Sequence, residues 1–376
     1  VQTFGDINAT ISGEGNKFVI TNTQIIQVAV AEIKTRPLIE SSPYKGLKRF
    51  ESVDKDLFFG REQAIVSLMQ AVSQNNLVLV LGASGSGKSS LVRAGLIPQF
   101  AQRLGAKFND LTFTPDRDPF ESWRVSLIGK GYKQSEVEIA RQGDIEKVVQ
   151  TLKMPEAQWL LFIDQFEELF TLTQDTEKRQ RFITSLVRLA ESEAKSVKIV
   201  LAMRADFLDR FSPHPKLGQI AQQTIHLVTD MHDDELRLVI EQPAASHGVV
   251  FEEGLVEEII KDLRGQAGSL PLLQYTLDLL WQNDDISDRT LNVKTYRELG
   301  GVRGALQKHV DQIYQNLSEG DREATKQIFL RLVDIAGTEA SDVGKIAVNR
   351  RAYLSEFSDK SAHHILPRLV DANLLV

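Results

Sequence analysis

The sequence predicts an α/β protein whose core is a five-stranded parallel sheet covered by helices on both faces. Three observations predict it. Five apolar runs of strand length, residues 77–81, 111–114, 158–163, 197–202 and 225–228, alternate with helical stretches. The first run leads straight into a loop of glycine, serine and lysine and then a helix-permissive segment. The third ends in an acidic residue, Asp164, at the strand edge where ligands bind in parallel sheets.

Residues 76–91 read NLVLVLGASGSGKSSL and match G-x-x-x-x-G-K-[ST] in its required strand–loop–helix context. Gly82, Gly85 and Gly87 let the backbone curl so that its N–H groups, with those of Ser84 and Ser86, point inward at an anion. The following helix presents its N-terminus to the same charge. Lys88 reaches the β- and γ-phosphates of a nucleotide, and the Ser89 hydroxyl, beside Ser90, ligates Mg²⁺. The plainer alternative is a Gly/Ser turn joining a strand to a helix. Asp164, paired with this loop, is the second Mg²⁺ residue. Glu167 and Glu168 either complement the dipole of the helix they start or orient an attacking water. Arg204 follows the fourth strand and either senses the γ-phosphate or is a surface arginine paired with Asp206 or Asp209.

Composition bounds the class. The chain has 376 residues, is 42% hydrophobic and 25% charged, and carries a net charge of −7, which suits a globular protein of two or three domains. No single-sign block marks a nucleic-acid-binding tail. With no cysteine, disulfides, thiolate metal sites and a cysteine nucleophile are excluded, and a cytoplasmic location fits. No apolar run approaches the ~20 residues that span a bilayer. The polar N-terminus has no apolar signal region, and the abrupt stop at Val376 suits a piece of a longer protein.

Taken in order, residues 1–36 are rich in Gly, Asn and Thr, and Ile26, Val28 and Val30 alternate with smaller or polar residues. Two or three short strands are expected there, a β-rich appendage too small for its own core. Residues 37–43 read as a linker opening the core segment, 37–230. Ile65, Leu68, Met69 and Val72 make an amphipathic helix one step before the phosphate loop. The helix after that loop is expected to stop at Pro98, and a helical stretch to run to about 152. Residues 231–290 turn helical. Helices are expected to start at Asp233 and to carry Leu255, Ile259, Ile260 and Leu263, and Pro271 stands at another helix start. In 291–376 two further stripes, Leu306 to Leu317 and Ile328 to Val333, precede a final helix. His363 and His364 lack a third ligand at a sensible spacing and read as solvated.

Six segments in order, YKGLKRF, FFGRE, GASGSGKSSLVRAGLIP, LLFIDQFEELF, LAMRADF and GSLPLLQY, resemble the STAND class of P-loop NTPases, and closely the bacterial novel-STAND group often fused to WD40 repeats. The resemblance covers about residues 43–376. It implies an AAA+-related ATPase core, a helical lid at 231–290 and a winged-helix-like domain, here incomplete, at 291–376. It also implies a signalling switch using ATP, ADP and Mg²⁺: ADP holds a closed monomer, and exchange for ATP drives homo-oligomerisation and activation of an effector. The sensor and effector partners lie outside this chain. Carried over, Gly60 and Arg61 lie near the adenine, Lys88 and Ser89 hold phosphate and Mg²⁺, Asp164 is the acidic Mg²⁺ residue, Arg204 the first sensor and Pro271 the lid proline on the base. Gln165 replaces the glutamate that many AAA+ enzymes carry after the acid, so slow turnover is expected. The alternative is a nucleic-acid-remodelling or DNA-binding regulatory ATPase. Its only basic support near the last domain is Asn349-Arg350-Arg351, and overall acidity counts against it. Transcription regulation and small-molecule kinase activity have less in the sequence to support them.

Overall fold

Parallel strands place their ligand sites at their C-terminal ends, so the order of the strands decides what meets there. The computed structural model describes residues 9–12, 17–20, 30–138, 158–192, 197–264, 268–336, 346–349, 352, 356–357, 360–371 and 374–375. Near the N-terminus, β1 (Ala9–Ser12) and β2 (Lys17–Ile20) pair antiparallel. The central sheet holds β3 (Leu77–Gly82), β4 (Phe108–Phe113), β5 (Gln158–Ile163), β6 (Val197–Arg204) and β7 (Ile225–Leu227) in the order β4-β5-β6-β3-β7, all parallel. The five expected strands are these five. β6 lies between β3, which carries the phosphate loop, and β5, which ends at Asp164.

The three central strands β3, β5 and β6 are buried on both faces because they are apolar at both parities, whereas the edge strand β7 leaves Ile225 and Leu227 exposed. Leu77, Leu79, Leu81, Leu161, Ile163, Leu201 and Met203 pack on one side against Trp123, Phe182 and Leu186. Val78, Val80, Leu160, Phe162 and Val200 pack on the other against Ile65, Leu68, Met69 and Val72 of the helix Glu62–Gln74 and against Leu91, Val92 and Leu96. Each core clamps the loops at the sheet edge to a rigid base.

Pro98 does not end the helix after the phosphate loop, contrary to expectation. The chain is α-helical at Lys88–Ser90, widens to a π-helix over Leu91–Leu96 and continues as α-helix over Ile97–Leu104. Proline is excluded from helix interiors by its missing N–H and its clash with the carbonyl of residue i−4. The wider turn shifts the ladder, Ile97 N–H bonding to the Val92 carbonyl, and so accommodates the ring. Val30 is likewise helical, in Val30–Ile33, and not in a strand; Ile26 and Val28 lie outside the described residues. Residues 37–43 have no regular structure, but the approach to them is tied down. Arg36 Nη1 donates to the Ala245 carbonyl and Ile39 N–H to the His247 carbonyl.

Two compact units divide the chain: Val1–Pro43, Arg49–Leu270 and Asp285–Leu291 form one, and Tyr44–Lys48, Pro271–Asp284 and Asn292–Val376 the other. The first includes the sheet, the helices Asp233–Ser246 and Leu255–Leu263, and the short parallel pair β8 (Val250–Phe251) and β9 (Thr290–Leu291). In the second, the helices Gly301–Gln315, Glu319–Arg331 and Lys360–Asp371 accompany an antiparallel pair, β10 (Val333–Ala336) and β11 (Ile346–Asn349). Leu317 falls just past the first of these helices, and Val333 begins a strand instead of continuing the second. Its core gathers Leu317, Ile328, Phe357, Ile365 and Leu369. His364 lies 3.8 Å from Asp321. Arg350 and Arg351, and the end of the helical stretch expected to reach 152, lie outside the described residues.

Candidate nucleotide site

β3 ends at Gly82, where a Cβ would sit 2.7 Å from Ser86 Oγ and 2.8 Å from the Val228 carbonyl, so the turn closes only around a glycine. Gly85 (φ +73°) and Gly87 (φ +90°) take the left-handed conformation that glycine adopts without strain. Gly85 is also pressed from outside: a Cβ there would strike the Gly268 carbonyl, and one on Gly268 would strike the Ser84 carbonyl. Ser86 is buried, and its Oγ has no hydrogen-bond partner among the described residues. Lys88 Nζ folds back onto the loop, donating to the Gly82 and Ala83 carbonyls at 3.0 and 2.7 Å. Burial pushes the Lys88 ammonium down from its ordinary range, and the nearby Glu167 and Asp164 pull the other way.

Ser89 Oγ donates to Asp164 Oδ1 at 2.7 Å, joining the first turn of the helix to the end of β5. Asp164 is 1% exposed. Its Oδ1 also accepts from the Gln165 N–H at 3.0 Å, and Gln165 turns the chain with φ +50°, uncommon for a residue with a Cβ. The turn places Glu167 against β6: its Oε2 accepts from the Arg204 N–H at 3.3 Å. Burial raises the Glu167 carboxyl, with Lys88 and Arg204 opposing. Glu168 is buried as well. The Arg204 guanidinium takes the alternative pairing the sequence left open: Nε and Nη2 donate to Asp206 at 3.0 and 2.6 Å, with Phe207 beneath. Ser90 Oγ accepts from the Phe50 N–H at 3.3 Å and so ties down the segment before the first core helix.

Gly60 and Arg61 precede the helix Glu62–Gln74. A Cβ on Gly60 (φ +80°) would sit 2.6 Å from the Glu235 carbonyl. Arg61 is buried and donates through Nη2 to the Ser86 carbonyl at 3.2 Å and the Thr229 carbonyl at 2.9 Å, so it buttresses the phosphate loop from behind. Pro271 belongs to the other unit, in the first turn of the helix Leu270–Asn283. The sequence reading missed Arg49 and Arg93, which reach Asp164, and Glu51, which pairs with both arginines. One signal pointed to Arg93: it lies four residues beyond Ser89, one helical turn on.

The donor set fits a nucleotide and a hard cation. A glycine cradle, an unpartnered buried hydroxyl and a folded-back lysine suit phosphate, and adjacent hydroxyl and carboxylate oxygens suit Mg²⁺. The model of the novel STAND NTPase 1 family matches residues 43–376. The chain belongs to this family. Among curated proteins none matches it in sequence. In fold, this STAND NTPase is similar to the Aeropyrum pernix ORC1 protein, solved in complex with DNA, at 14% identity and TM-score 0.50, covering 73% of each chain. It is also similar to a Walker-type ATPase of Pyrococcus abyssi at 16% identity and TM-score 0.46, over 76% of this chain and 83% of that one. The protein is a P-loop NTPase. Among the described residues no helix is long and apolar enough to cross a membrane.

Proposed function

We propose that this STAND NTPase is a slowly hydrolysing ATP/ADP switch whose exchange of nucleotide drives self-assembly and partner activation. The observation that carries it is the 2.7 Å contact between Ser89 and Asp164 beside Lys88, combined with the absence of an acid at position 165. Ser89 and Asp164 would hold Mg²⁺, which screens the phosphate charge when bound. Lys88 and the loop N–H groups bind the β- and γ-phosphates. Glu167 orients the attacking water, and its bond to the Arg204 backbone ties that role to β6. Having to leave this bond slows turnover, as a timing switch requires. Gly60 and Arg61 border the base. The functional division proposed is 1–36, 37–230, 231–290 and 291–376, which cuts the chain differently from its two compact units. The helices and the β10–β11 pair support a winged-helix-like character for the last segment.

A nucleotide shifts such an equilibrium only through unequal affinity for the two states. Light scattering of the protein in ADP and in ATP, the latter with Glu167→Gln to hold the triphosphate, tests the reading. Protomers in ADP and a larger assembly in ATP are expected. The same mass in both nucleotides contradicts it. The DNA complex of the ORC1 protein keeps a second reading, a DNA-dependent ATPase, in view, but the net charge of −7 favours the switch.

A further inference from the structure

Asp164 meets more than Ser89. Phe162 and Asp164 are two residues apart in and just beyond β5 and face the phosphate-loop helix together. Where that helix widens into its π-turn, the Arg93 guanidinium lies 5.6 Å from the Phe162 ring centroid. Its Nη2 reaches Asp164 Oδ2 at 3.4 Å, while its Nη1 donates to Glu51 Oε2 at 3.0 Å. Arg49 makes a parallel bridge, with Nε 2.9 Å from Glu51 Oε1 and Nη1 3.7 Å from Asp164 Oδ2. One oxygen of Asp164 therefore serves Ser89. The other faces two cations that share one anion, and both cations sit closer to Glu51 than to Asp164.

A divalent cation at Ser89 and Asp164 is repelled by those guanidiniums and competes with them for the carboxylate. Glu51 offsets both effects. We propose that Glu51 is a positioning residue that sets the access of the metal to Asp164 by drawing Arg49 and Arg93 off the carboxylate. The inference rests on placing the metal at Ser89 and Asp164. Neutralising Glu51 leaves the cluster one charge more positive and turns Arg93 toward Asp164. Neutralising Arg49 makes it one charge more negative. The two changes act in opposite directions.

The test measures the affinity of a fluorescent ADP analogue in excess Mg²⁺ and in EDTA, and takes the ratio of the two dissociation constants as the metal's contribution. Side chains 44% and 51% exposed at Glu51 and Arg49 make both variants safe to fold, and a thermal melt checks it. Glu51→Gln is expected to lower the ratio about threefold to tenfold, and Arg49→Gln to raise it about twofold, the range of coupling between neighbouring charges. Arg93→Gln added to Glu51→Gln is expected to restore most of the loss. Unchanged ratios, or shifts of one sign in both single variants, overturn the inference while leaving the nucleotide site intact. A wild-type protein that binds ADP without any gain from Mg²⁺ overturns it together with the metal position itself.

Discussion

Lys88→Ala is expected to abolish measurable triphosphate binding while the fold survives. In the described structure Lys88 Nζ is held by two carbonyls of its own loop, so its removal disturbs no core contact. Phosphate binding, by contrast, depends on a charge-assisted bond in a partly desolvated loop. Truncating one partner of such a pair costs about 2 to 5 kcal/mol, on the order of thirtyfold to several thousandfold in Kd. Calorimetric titration with ATP checks it, with circular dichroism confirming the fold. The sign with pH follows from burial, which lowers the Lys88 ammonium. Affinity should fall as pH rises through that lowered value, earlier than an exposed lysine would dictate. Unchanged ATP affinity in the variant would remove Lys88 from the site.

Glu167→Gln is expected to lower the turnover number about a hundredfold or more, the usual contribution of a positioned general base, with ATP affinity kept within about threefold. The geometry separates the two glutamates that the sequence left equal. Glu167 accepts from the Arg204 N–H and lies within the electrostatic reach of Lys88, whereas Glu168 belongs to the short helix Glu168–Thr171 and is buried in it. Glu168→Gln should accordingly hydrolyse ATP far faster than Glu167→Gln. Because burial raises the Glu167 carboxyl, the rate of the native protein should drop as pH falls through a value above the ordinary glutamate range. That limb should vanish in Glu167→Gln. Phosphate release followed across pH in the three proteins decides the assignment.

The fold and the centre of the site were legible because their signals are local. Five strands announce themselves as short apolar runs, and the phosphate loop is a contiguous string whose glycines are each required by backbone geometry, as Gly82 and Gly85 show. Asp164 could be named because an apolar strand runs directly into it. What stayed hidden depends on contacts between distant parts of the chain. Glu51 and Arg93 are 42 residues apart in sequence, and no periodicity links them. The approach of Gly268 to Gly85 joins segments too remote for any spacing rule. Pro98 misled because a proline in a helical stretch is read against an α-helix, and a π-turn changes which carbonyl the ring meets. Arg204 carried two meanings in the sequence, and its bidentate pair with Asp206 shows which one this conformation uses.

The most direct measurement is the nucleotide content of the freshly purified protein. The protein is denatured, and the released nucleotide is identified and counted against protein by ion-exchange chromatography. A switch that retains its product predicts close to one ADP per chain, lost in Lys88→Ala. A protein that purifies empty and turns ATP over steadily would contradict the switch and point to a motor or remodelling ATPase.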